Sequence, residues 1–378
     1  MLTNHGTNVL RASYFTGKEA YKAHGRVHSI QQPQYLASSV YGHGELRAGW
    51  RLSIFLAIVI ALINTSNLIL RRPLSGADGG TSFLVRELMD FLIFLLASWI
   101  MGRLERRTIA DYGLPWRKVF HGQFWQGVLL GFASITCLLV AMRFAGVFYF
   151  GMIALHGGDI WKWAGIYALV FILVALREEF RARGYALCTL SAGIGFWPAA
   201  ILSAAYFGYS HHGNSGEDWI GLVNAGLFGL LACLLLRRTG NLWMPIGVHM
   251  AFDWSETYLY GVADSGQVLP GHLLNSSSSG PAWLSGGTVG PEGSLLCTLL
   301  LLVLWLICAA WLREAKYPHQ VESVQSDLKA IDITRSPTTS CNRSPCAVVD
   351  GSETESGLDC QQRRTPPPPD SQRPSRRL

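Results

Sequence analysis

Charge is scarce in this chain. Of 378 residues, Asp, Glu, Lys and Arg make up only 15%, against roughly 25% in a soluble domain, which excludes an ordinary solvated surface over most of the length. The ionisable residues crowd into 1–50 and 314–378 and leave long apolar runs across 51–313. A run near 20 apolar residues crosses a roughly 30 Å hydrocarbon layer as a helix. The polar first 50 residues lack the apolar core of a cleaved signal peptide, so 51–70 is expected to be the first permanent span. The eight cysteines have neither the spacing of a metal-ligand motif nor that of a secreted disulfide framework. The net charge of +6 comes from basic residues beside hydrophobic segments and in a polar tail, so it reads on membrane orientation and no nucleic-acid partner is expected.

What is present reads as an all-α, polytopic membrane helix bundle of about eight transmembrane helices enclosing a polar intramembrane cavity. The spans are placed near 52–70, 83–102, 124–145, 163–182, 193–211, 219–236, 241–260 and 295–312. Cytoplasmic flanks retain excess Lys and Arg. Arg11, Lys18, Lys22, Arg26, Arg47 and Arg51 precede or open the first span, and Arg103, Arg106, Arg107, Arg117 and Lys118 follow the second. Alternate segments hold only Arg71, Arg72 and Lys162, and 261–294 holds no basic residue except histidine. The pattern predicts an integral membrane protein with both termini in the cytoplasm. Three regions follow: a polar cytoplasmic arm at 1–50, a helical membrane domain at 51–313, and a disordered cytoplasmic tail at 314–378 containing Pro366 to Pro369. The Gly-, Ser- and Pro-rich 261–294 segment is expected to be a long external loop without enough apolar surface to order itself. No internal repeat points to a symmetric transporter.

The chemistry concentrates in 174–254. In Arg-Glu-Glu-Phe-Arg-Ala-Arg, residues 177–183, Glu179 and Arg183 are one helical turn apart and can pair, while Glu178 projects about 100° away. Either Glu179 is held by Arg183 and Glu178 faces a cavity, or the reverse; a charged interfacial helix end is the plainer account. The second piece is Phe207-Gly-Tyr-Ser-His211, beside His212. The third, His249-Met-Ala-Phe-Asp253, puts an imidazole and a carboxylate on one face of a membrane helix. A carboxylate there costs about 2.5–3.5 kcal/mol on insertion scales. Imidazoles and carboxylates can ligate a divalent metal or polarise a water directly. Hydrolysis needs a base for the water, an acid for the leaving group and a donor for the oxyanion. Arg86, Glu87 and Asp90 in the second span are expected to face protein or water, with Arg86 able to reach Asp90; of the two roles open to them, lining the same cavity and forming a structural ion pair between helices, the ion pair is favoured.

The ordered set Glu-Glu-x-x-x-Arg at 178–183, Phe-x-x-x-His at 207–211 and His-x-x-x-Asp at 249–253 resembles the CPBP family of intramembrane proteases, which includes type II CAAX prenyl endopeptidases and Abi-like bacterial proteins. The resemblance covers about 120–260. It implies an intramembrane endopeptidase, a glutamate protease or a metalloprotease, in a bacterial plasma membrane. Its substrate would be a peptide or membrane protein, prenylated in the CAAX-processing case, met in the lipid bilayer. Glu178 would activate water, Glu179 and Arg183 would support it, Phe207 would line the cavity, and His211 and His249 would hold the water or oxyanion. Asp253 stands where the family usually has Asn. Glu178, His211, His249 and Asp253 would be the ligands if a divalent metal such as zinc takes part; no cofactor is implied with certainty. A membrane transporter of ions or small solutes and a catalytically silent scaffold or immunity-like protein are the alternative functions.

One geometric conflict follows from this layout. With simple antiparallel crossings Glu178 and His211 fall at opposite membrane faces, roughly 25–30 Å apart. A shared site requires that the fourth helix continue past Arg183, or that the fifth be tilted or start later than 193. Gly193, Gly195 and Pro198 are the residues that would allow such a break.

Overall fold

The structure, a computed structural model, describes residues 41–42, 45–70 and 79–317. Most of the N-terminal arm and the tail from 318 onward lie outside the described residues, and with them the expectation for Pro366 to Pro369. The chain divides into two units, 1–320 and 321–378, and all that follows concerns the first.

Among the described residues the fold is mostly helical, with 73% helix and 3% strand. The helices are α1 (Ala48–Leu70), α2 (Gly79–Glu105), α3 (Gly122–Phe144), α4 (Gly158–Arg183), α5 (Tyr185–Ile194), α6 (Phe196–Ser210), α7 (Trp219–Thr239), α8 (Trp243–Trp254), the single-turn α9 (Ala282–Ser285) and α10 (Leu295–Trp311). Among the described residues four helical stretches are long and apolar enough to cross a membrane: 48–70, 122–144, 158–194 and 219–239. The other predicted spans differ for physical reasons. Arg86, Glu87 and Asp90 raise the polarity of α2, and α6, α8 and α10 are shorter than the roughly 20 residues that a perpendicular crossing takes.

The arrangement around α8 follows from glycine. A Cβ at Gly127 would lie 2.3 Å from the Met244 carbonyl oxygen, and one at Gly131 would lie 2.2 Å from that of Val248. The Gly-x-x-x-Gly spacing thus lets α3 approach α8 backbone to backbone. The helix is buried from Trp243 to His249, so it is central and delivers His249 and Asp253 to the interior. On α7, the Asp218 side chain accepts from the amides of Ile220 and Gly221 at 2.9 and 3.0 Å, and Gly240 ends the helix at φ 84°.

The conflict over helix depth is resolved by α5. The chain leaves α4 at Gly184, makes the short α5 and turns back at Gly195 (φ 84°) into α6. Ser203, halfway along α6, donates to the Ala182 carbonyl at 2.9 Å. Only about two more turns then carry α6 to His211, beside the upper half of α4 rather than a full bilayer thickness away. The fourth helix itself ends at Arg183 and the apolar stretch resumes as α5; of the two corrections the sequence allowed, the later start is the one made, with α6 beginning at Phe196.

At the α1 end, the Arg51 guanidinium pairs with Glu105 of α2, and Tyr185 of α5 donates to the same carboxylate. The 261–294 segment departs from expectation: it is ordered by other parts of the chain. Phe148–Tyr149 pair antiparallel with Ser277–Ser278, and Ala154 donates to the Leu273 carbonyl at 2.8 Å. The amides of Leu273 and Leu274 donate to the carbonyls of Tyr258 and Leu259. Composition predicts no core of its own for this loop, and it has little; backbone pairing takes the place of one.

Candidate active site

Two adjacent carboxylates leave α4 in different directions, and their surroundings separate them. Glu179 and Arg183 are both fully buried. Glu179 Oε1 accepts from Arg183 Nη1 at 3.0 Å and from His249 Nδ1 at 3.0 Å. Of the two arrangements compatible with the sequence, this is the one in which Arg183 holds Glu179 and leaves Glu178 to face the cavity. The Arg183 guanidinium stacks 4.3 Å over the Phe207 ring. Gly229 of α7 makes room for it, since a Cβ there would lie 2.8 Å from Arg183 Nη2.

Glu178 lines a cavity of about 340 Å³ together with His211, His249, Asp253, Phe207 and Arg177. Its Oε1 accepts from Arg177 Nη2 at 2.6 Å. Arg177 Nε in turn lies 2.5 Å from Glu87 Oε2 on α2. The ion pair between helices expected at α2 is made by Glu87 with Arg177; Arg86 and Asp90 form no ion pair among the described residues. Sequence reading missed this partner because nothing in spacing links positions 87 and 177.

The imidazole of His249 is held through Nδ1. With Nδ1 donating to Glu179, Nε2 faces the cavity, 3.8 Å from Glu178 Oε2 and 3.4 Å from Asp253 Oδ2. The one-turn spacing correctly puts Asp253 beside His249, but the group that fixes the Nδ1 side is Glu179, from another helix. Phe207 and Phe228 pack edge-on against the ring, with centroids at 6.1 and 5.1 Å. His211 caps α6, and its Nδ1 is 2.8 Å from the Phe207 carbonyl. A carbonyl only accepts, so Nδ1 carries the proton and Nε2 is left as a lone-pair donor. His212 is exposed against Tyr209 and is not among the cavity-lining residues.

The six residues singled out in the sequence thus meet in one place: Glu178, His211, His249 and Asp253 on the cavity wall, with Glu179 and Arg183 in the protein behind it. The same wall carries residues that the motifs did not mark, namely Asn224 and Glu217 at the α7 end and Asp264 and Glu292 from the loop. Imidazole nitrogens and carboxylate oxygens are ligand types that zinc takes, but among the described residues these four do not form a group with all ligand atoms within 4.8 Å of one another.

Residues 160–255 match the Rce1-like family of type II CAAX prenyl endopeptidases. No curated protein matches the chain. The Rce1-like segment contains all three motif pieces and agrees with the CPBP resemblance drawn from them. It begins just inside α4 and ends one residue past α8, narrower than the 120–260 region of the motif-based resemblance. A protease family and several apolar helices fit an integral membrane hydrolase that meets a peptide substrate in a lipid environment.

Proposed function

We propose that the protein is an intramembrane endopeptidase of the CAAX-processing kind, in which Glu178 activates the attacking water. The observation that carries this reading is the split between the paired carboxylates. Glu179 is consumed by Arg183 and His249, whereas Glu178 keeps Oε2 directed toward His249 Nε2 across the cavity. A water between Glu178 and the imidazoles loses a proton to Oε2 as its oxygen attacks the scissile carbonyl. His249, with its ring fixed through Glu179 and Arg183, donates from Nε2 to the developing oxyanion, and His211 lies on the same wall. Glu178 then returns the proton to the departing amine. The Arg177–Glu87 pair keeps the base in place. Asp253, beside His249, biases its charge and position. A zinc held by Glu178, His211, His249 and Asp253 would supply Lewis-acid polarisation of the carbonyl; it would take the lone pair of His249 Nε2, so the donation from Nε2 described above belongs to the metal-free site.

Val170, Phe171, Val174 and Phe252 form an apolar side of the cavity, which supports a lipid-modified peptide as substrate. The same proposal includes eight crossings, cytoplasmic termini and a bacterial plasma membrane, the orientation resting on the Lys and Arg asymmetry. The experiment is turnover by purified protein in detergent on matched prenylated and unprenylated CAAX peptides. Cleavage of the prenylated peptide, lost in a folded Glu178→Gln protein, is expected. Equal turnover by that variant would remove the assigned base, and solute flux in proteoliposomes without cleavage would favour the transport reading.

A further inference from the structure

A second acidic group sits where the loop returns to α8. After Trp254 the helix widens into a π-turn, Ser255–Tyr260, which carries Glu256. Asp264 follows on the loop, and Glu292 precedes α10. One carboxylate oxygen from each of the three lies within 4.8 Å of the others. No Lys or Arg lies near the group in sequence, between Arg238 and Arg313. None of the three enters an ion pair among the described residues.

The second observation is Glu256 itself. It is completely buried, and neither of its carboxylate oxygens has a hydrogen-bond partner. Gly290, at φ 122°, brings the loop so close that a Cβ there would lie 3.4 Å from Glu256 Oε1 and 2.1 Å from the Ala263 carbonyl oxygen. The other two carboxylates are aimed by their neighbours. Thr257 Oγ1 donates to Asp264 Oδ2 at 3.0 Å, and the Ser265 amide donates to Glu292 Oε1 at 2.6 Å. Asn224 Nδ2 fixes the backbone of Glu292 by donating to its carbonyl at 2.7 Å. Each of these carboxylates keeps a second oxygen outside those bonds.

We propose that Glu256, Asp264 and Glu292 bind a hard divalent cation, of the calcium or magnesium class, that fastens the 261–294 loop to the end of α8. Three carboxylates with neither imidazole nor thiolate favour oxygen-seeking ions over zinc. Asp264 and Glu292 also line the main cavity, so its water can reach the ion and complete the coordination shell. The site differs from the Glu178 and His249 group in ligand chemistry and in the elements that carry it.

The test uses the full chain in detergent, stripped with EDTA and titrated with terbium as a calcium probe, its luminescence excited through tryptophan. Calcium and magnesium displace bound terbium and identify the preferred ion; zinc is the control. One saturable terbium site per chain is expected, with affinity lowered about tenfold or more in Glu256→Gln and Glu292→Gln and kept in Glu178→Gln. A calcium-dependent rise in melting temperature should vanish in the same two variants. Because Gln matches Glu in size and removes repulsion, these variants should fold; Asp264→Asn is the third arm if either does not. Absence of saturable binding to wild-type protein would overturn the proposal, as would binding lost in Glu178→Gln and kept in Glu292→Gln.

Discussion

Two groups of buried and half-buried carboxylates lie about one cavity, and they are built on opposite terms. At the α4 end every acid has a cation or a donor beside it: Arg183 and His249 serve Glu179, Arg177 serves Glu178, and Arg177 also meets Glu87. At the loop end Glu256, Asp264 and Glu292 have hydroxyl and amide donors at most, and Glu256 has none. Charge neutralised by the chain's own side chains is fixed when the protein folds. Charge left open must be met by protons or by something bound, which makes the loop end responsive to its medium.

The contrast can be broken most severely through function. Glu178→Gln removes the base and nothing else from the compensated group, so turnover should fall by about 10²–10⁴, roughly 3–5 kcal/mol, with the circular dichroism spectrum unchanged. Arg183→Met strands the fully buried Glu179 without its cation. The expected loss is about 3–5 kcal/mol of stability, read as an earlier thermal transition in detergent; an unchanged transition would mean that the pair is not compensating anything. The open group should answer with the opposite sign. In EDTA-treated protein Glu256→Gln is expected to be neutral or stabilising by about 1–3 kcal/mol, and the gain should disappear when calcium is added. A destabilised cation-free variant would show that the carboxylates are satisfied in a way that the geometry does not display. The smallest effect should come from Asp253→Asn. It keeps the size and changes only the charge beside His249, so turnover should stay within about tenfold of wild type, under roughly 1.4 kcal/mol; bound zinc falling in step with activity would make Asp253 a metal ligand instead.

The helical class and the meeting of three motif pieces were legible because they are periodic. Apolar runs mark helices, and i to i+4 spacings put Glu179 with Arg183 and His249 with Asp253 on shared faces. Which of Glu178 and Glu179 faces the cavity was left open, since a single helix rotates freely until its neighbours are known; His249, 70 positions away, decides it. The depth of α6 was not legible because α5 reads as continuous apolar sequence with its neighbours, and only Gly184 and Gly195 punctuate it. The Glu87–Arg177 pair and the acidic group carry no local pattern at all. A signal for the latter did exist: acidic residues recur at 253, 256, 264 and 292 in a stretch without Lys or Arg.

The wall of the cavity is assembled from chain on both sides of the Rce1-like boundary. Residues 160–255 bring Glu178 and the imidazoles, but Asp264, Leu269, Leu301 and Leu304 close the far side. The motif-bearing stretch is therefore not a portable unit. Grafted into another bundle, it would arrive with its reacting groups opposite a missing panel, open to lipid or bulk water on the side where the loop and α10 now stand. Exchanging specificity between such proteins calls for trading the loop and the last helix, and leaving the motifs where they are.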